Sequence, residues 1–69
     1  MKTVYVVRLG QSPITSVVPI GATVKETLQN VSIAWDYKVK LNGTSSAMDA
    51  VPEDQAMIIV WEKIEWGNR

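Results

Sequence analysis

Hydroxyls and carboxylates are the groups in this chain that could do chemistry, and their spacing argues against most of it. Ser45-Ser46 offers nucleophilic oxygens, but the sequence contains no histidine and no cysteine, so no imidazole or thiolate can activate or replace them. Asp49, Glu53 and Asp54 are hard-cation ligands by type. They fall in a turn-rich stretch without calcium-loop spacing, so a solvated loop is the simpler reading. Glu62 and Glu65 stand three apart in a strand pattern, which puts them on opposite faces and rules out a paired acid and base. Lacking cysteine, the chain also has no disulfide staple. No catalytic residue, metal or cofactor is expected.

The groups that remain are apolar and aromatic, and they need a scaffold. At 69 residues the chain makes one small domain, expected over residues 1–65 with a short tail at 66–69. A domain of this size buries roughly 60% of its unfolded surface and keeps a margin of only a few kcal/mol. Its 46% apolar content is that of a globular protein. Seven basic and seven acidic residues cancel and are scattered. The longest basic cluster, Lys38-Val39-Lys40, is a solvated strand face rather than a nucleic-acid stripe. No signal segment and no apolar run of bilayer length is visible, so a cytoplasmic protein with no membrane partner is expected. The Asn-x-Ser/Thr matches at Asn30 and Asn42 are read as chance.

Thr3 to Leu9 is rich in Val and Tyr and ends at Gly10-Gln11-Ser12-Pro13, and Ile14 to Pro19 follows, so the pair reads as an antiparallel hairpin. Pro19 cannot donate to a ladder, so that second strand either stops there or lies at an edge. Thr23-Val24-Lys25-Glu26 is a capping box, and Val24, Leu28 and Val31 recur at helical spacing, predicting a helix of about two turns from Val24 to Asn30 or a little beyond. Tyr37 to Leu41 alternates cleanly and closes at Asn42-Gly43, a tight-turn pair after which Thr44-Ser45-Ser46 can return. Met57 to Ile64 is apolar on both faces, which places it centrally, beside the first strand. Trp35 is expected to plug the core after the helix. The class is α+β: a four- to five-stranded mixed sheet with one short helix packed on one face.

In that arrangement Val4 and Val6 point to the helix, and Tyr5, Val7, Ile59 and Trp61 form an apolar stripe on the uncovered face. Such a stripe suits a protein partner. The same residues are also good strand formers that Lys stems or the tail could cover, and the sequence leaves both readings open. Trp66 could fold back onto the sheet or stand free as a binding anchor.

Gly21-Ala22-Thr23-Val24-Lys25-Glu26-Thr27-Leu28, Val39-Lys40-Leu41-Asn42-Gly43, and Asp49 with Pro52-Glu53-Asp54 before the final strand together resemble the ubiquitin-like β-grasp family. Within it they look most like the sulfur-carrier proteins of thiamine and molybdopterin synthesis. The resemblance implies a β-grasp fold and partners bound mainly on the open sheet face. In the carriers it also implies a terminal Gly-Gly whose carboxylate an adenylating enzyme activates. Here Trp66 and Gly67 stand at those positions, with Asn68-Arg69 after them. Trimming could expose Gly67 but could not remove the indole, which would block a narrow activation channel. The expected function is a non-enzymatic interaction module with Tyr5, Val7, Ile59, Trp61 and Trp66 as binding residues. The alternatives are a carrier-like or conjugated protein processed at Gly67, and a protein that self-associates, as a homodimer for example, through a free sheet edge.

Overall fold

A computed structural model of the chain describes residues 1–33 and 37–63, with the backbone alone for Glu62 and Lys63. The expectation for Trp35 and those for Trp66 and Gly67 lie outside the described residues. Six elements follow one another: β1 (Lys2–Arg8), β2 (Ile14–Val18), α1 (Val24–Asn30), β3 (Tyr37–Leu41), β4 (Thr44–Ser46) and β5 (Met57–Lys63). The strands form one mixed sheet in the order β2-β1-β5-β3-β4, with β1 and β5 parallel and every other pair antiparallel. The chain is an α+β domain with a five-stranded sheet and one short helix.

Alternation builds this sheet. Val4 and Val6 of β1, Ile58 and Val60 of β5 and Val39 of β3 are buried and join Val24 and Leu28 of α1 in a single core. β5, apolar on both faces, lies in the middle as its composition predicts. β2 stops at Val18, one residue before Pro19, and is an edge strand. β3 and β4 are joined by Asn42-Gly43 with φ of 51° and 88°, the positive values a two-residue turn requires. Asn42 does more than turn the chain: its side-chain oxygen accepts from the Met57 amide at 3.0 Å, which ties the hairpin to the start of β5.

A seven-residue helix is marginal by itself, so its ends must be held. The capping box is complete: the Glu26 amide donates to the Thr23 hydroxyl at 3.2 Å and the Thr23 amide donates to the Glu26 carboxylate at 2.9 Å. The remaining first-turn amides are taken by the loop before β5, Val24 donating to Ala50 O at 2.8 Å and Lys25 to Met48 O at 3.0 Å. At the other end Ser32, at φ 60°, closes the helix, and its amide donates to Gln29 O at 3.0 Å. The helix is stitched to β2 as well. Buried Ser16 donates to Thr27 O at 3.1 Å and accepts from the Asn30 amide at 3.1 Å.

Lys2 occupies a core-facing position in β1, in register with Val4 and Val6, and is 2% exposed. Its ammonium donates to Ala22 O at 2.9 Å and to Pro52 O. One cation thus holds the turn entering α1 and the loop entering β5. An unpaired buried ammonium would cost several kcal/mol, so these carbonyls make the position possible. Further up the same loop, the Gln55 amide donates to Thr3 O at 2.7 Å and the Tyr5 amide to Ala56 O at 2.9 Å. The irregular stretch 47–56 is therefore a pinned strap. Among the described residues, no helix is long and apolar enough to cross a membrane.

Lys2→Met keeps most of the stem volume but deprives both carbonyls of their donor. It should cost about 1–3 kcal/mol in urea unfolding at an unchanged m-value, and an unaltered midpoint would remove the clamp. The Glu26 carboxyl is held below its ordinary value of 4.5, first by the Thr23 N–H, then by the Thr23 hydroxyl, with the Lys2 ammonium adding attraction against slight burial. Its contribution to stability is therefore complete above the ordinary carboxylate range and is lost as the pH falls through the lowered value. Unfolding midpoints followed from neutral pH to about pH 2 should show an acid-dependent loss that Glu26→Gln reduces. An identical profile in the variant would show that the loss arises elsewhere.

Candidate functional site

The face of the sheet away from α1 carries the residues that parity selects. Tyr5 pairs with Met57 and Val7 with Ile59, and Ile59 is opposite Lys40, which is opposite Ser45. A row therefore runs straight across four strands as Val7, Ile59, Lys40 and Ser45. Tyr5, Val7 and Ile59 are half-buried, while Met57 is 44% and Trp61 42% exposed. The expected stripe of Tyr5, Val7, Ile59 and Trp61 thus lies on one face, graded from a half-covered middle to a more open indole.

Alternation puts Trp61 on this face, and a register shift sets what stands beside it. β3 pairs Lys38 with Glu62 but Val39 with Val60, so Trp61 has no residue opposite it and β5 bulges there. Val60 stays inward at 3% exposure and Trp61 turns outward. The neighbouring lysines close over the ring, with the Lys38 ammonium 5.4 Å and the Lys40 ammonium 5.5 Å from its centroid. Each such contact is worth about 0.5–1 kcal/mol at an exposed site. The Lys38-Val39-Lys40 cluster is therefore an aromatic frame as well as a solvated face. At the other end of the stripe the Tyr5 hydroxyl donates to the Gln55 side-chain oxygen at 3.2 Å, fixing the phenol to the strap.

Two apolar residues belong to this face besides the expected ones. Met57 continues the stripe toward β1, and Val17, 50% exposed, stands opposite Thr3 on β2. Val17 is hard to read from sequence because β2 inverts the usual preference: Ser16 points inward and Val17 outward. The signal was the strand's parity combined with Thr27 and Asn30 as partners for an inward hydroxyl.

One carboxylate of the strap has a structural position. Asp54 accepts from the Thr3 amide at 2.8 Å. Among the described residues, no three of the acidic type gather closely enough to hold a metal ion. Ser46 donates to the Ala47 carbonyl at 3.1 Å. On the helix side a cleft of about 450 Å³ is lined by Val18, Pro19, Ala22, Glu26, Gln29 and Asn30. Two of its three polar side chains are already engaged: Glu26 caps the helix, and Asn30 bonds Ser16 and Val17 O.

The gradient of exposure predicts a gradient of stability. Ile59→Ala, at a half-buried central site, should cost about 1–2 kcal/mol. Trp61→Ala should cost less than about 1 kcal/mol. Chemical unfolding checks both, and a larger loss at Trp61 would make the indole part of the core.

The chain matches no protein-family model, no curated protein and no solved structure, so the reading of this face rests on its own geometry.

Proposed function

We propose that this chain is a ubiquitin-like β-grasp domain that works as a non-enzymatic protein-interaction module, binding through its open sheet face. The fold part of this reading is supported by the hairpin, helix, hairpin and final central strand, with β1 and β5 parallel in the middle. One observation carries the functional part. An apolar stripe of Tyr5, Val7, Met57 and Ile59 ends at the outward-facing Trp61 indole, beside a bulge, on the face that α1 does not cover. Aromatic residues at the centre of a rigid surface are the usual anchors of protein interfaces. A central strand holds most of these side chains, so little ordering is needed on binding.

Self-association through a sheet edge has less support. β2 is bounded by Pro13 and Pro19, and the Asn30 amide reaches the Val17 carbonyl at 3.4 Å. β4 is three polar residues long. Short edges, flanking prolines and side chains bonded to edge carbonyls all discourage strand-to-strand pairing.

The double variant Tyr5→Ala with Trp61→Ala tests the module. Immobilised wild-type protein should retain a partner from cell extract at least about tenfold better than the variant does, while both unfold cooperatively. Equal retention would refute the open face as the binding surface. If the double variant does not fold, the residues are core and the patch is wrong. Intact mass after incubation with ATP and an adenylating enzyme examines the carrier alternative, which requires a shortened or modified C-terminus ending at Gly67.

A further inference from the structure

We infer that Asn42-Gly43 is a site of spontaneous covalent modification, at which the asparagine amide converts to aspartate and isoaspartate. The bond from Asn42 to Met57 holds this reaction off while the β3–β4 hairpin is seated on β5. The open face plays no part in it.

The chemistry belongs to the pair. Asparagine is one of the chemically labile side chains. The Gly43 backbone nitrogen attacks the side-chain carbonyl carbon of Asn42 and closes an imide ring. The bond from that carbon to Nδ2 breaks, and the nitrogen leaves as ammonia with the proton that the Gly43 nitrogen gives up. Water then opens the ring. Addition at the side-chain carbonyl gives aspartate, and addition at the backbone carbonyl gives isoaspartate, whose main chain runs through the former side chain.

A side chain on the following residue crowds this attack. Asn30 precedes the β-branched Val31, and its Nδ2 is engaged by the Ser16 hydroxyl at 3.1 Å. Gly43 has no Cβ, and a Cβ built there would meet no heavy atom within 4 Å beyond its chain neighbours. Asn42 and Gly43 are both exposed, so water reaches the ring.

Against this reactivity the fold sets a lock. Asn42 Oδ1 accepts from the Met57 amide at 3.0 Å, and the Asn42 amide donates to Met57 O at 2.9 Å. Side chain and backbone of Asn42 are thus tied to one residue, the first of β5. The φ values of 51° and 88° are set by the two-residue turn. Ring closure carries the side-chain carbonyl carbon onto the Gly43 nitrogen, which a carbonyl bonded to the neighbouring strand resists. Reaction therefore proceeds through molecules in which the hairpin has opened. The products differ in what they leave of the lock. Aspartate keeps an oxygen for the Met57 amide and strengthens the bond by its charge. Isoaspartate lengthens the turn and shortens the side chain, so the hairpin loses its tie to β5.

The test incubates the full chain at mildly alkaline pH, folded in buffer and unfolded in urea. Each conversion adds a negative charge to a chain of zero formal net charge, which ion exchange resolves. Enzymatic methylation detects isoaspartate, and peptide mass mapping places it. The unfolded chain should react at least about tenfold faster than the folded one, and Asn42→Asp should not form the new acidic species. Across sub-denaturing urea the rate should rise in step with the loss of hydrogen-exchange protection at the Met57 amide. A folded rate equal to the unfolded one overturns the lock. So does a faster folded rate, which would make the Met57 amide a promoter of ring closure, or a rate that does not follow that amide. If the acidic product maps to another residue, or the unfolded chain yields no isoaspartate, the site itself falls.

Discussion

A helix of seven residues is about 10 Å long, whereas five strands at normal spacing span about 19 Å. Coverage is therefore the constraint on which the rest of the structure depends. One face of the sheet can be closed only if the helix is helped, and the other face is left to its own side chains. The help comes from the strap between β4 and β5, whose Met48 and Ala50 pack at the margin of the core and whose Pro52 is buried. On the far side, alternation continues apolar through β5, and among the described residues no second layer covers it.

The same limit explains why polar groups enter the interior. A domain this small cannot extend its apolar core to the sheet margins, so the margins are closed by side chains that reach backbone groups. Lys2 does this at one corner and Ser16 with Asn30 at another. Each polar atom brings its own partner, which keeps the desolvation cost down while fixing where the loops lie.

Elements governed by local rules were legible in the sequence. The Thr23 to Glu26 box, the Asn42-Gly43 turn, the Tyr37 to Leu41 alternation and the two-faced β5 all depend on neighbours in the chain, and each is found where it was read. Features created by distant partners were not. Lys2 looks like an ordinary solvated N-terminal lysine until Ala22 and Pro52 are brought to it from 20 and 50 residues away. Ser16 breaks the apolar alternation because its partners are on the helix. The stripe was readable by parity, but its lysine frame was not, because the bulge at Trp61 arises from a register shift between β3 and β5 that neither strand announces alone.

The parallel pairing of β1 with β5 has a consequence for how the domain comes into being. β1 has only β2 as a neighbour until β5 has left the ribosome, because its other neighbour is the last of the described strands. β3 and β4 likewise wait for β5 to join them to the rest of the sheet. A nascent chain stalled before Met57 holds two unconnected hairpins and an uncovered helix. Assembly of the full sheet thus waits until β5 has been made, as expected of a topology dominated by contacts distant in sequence.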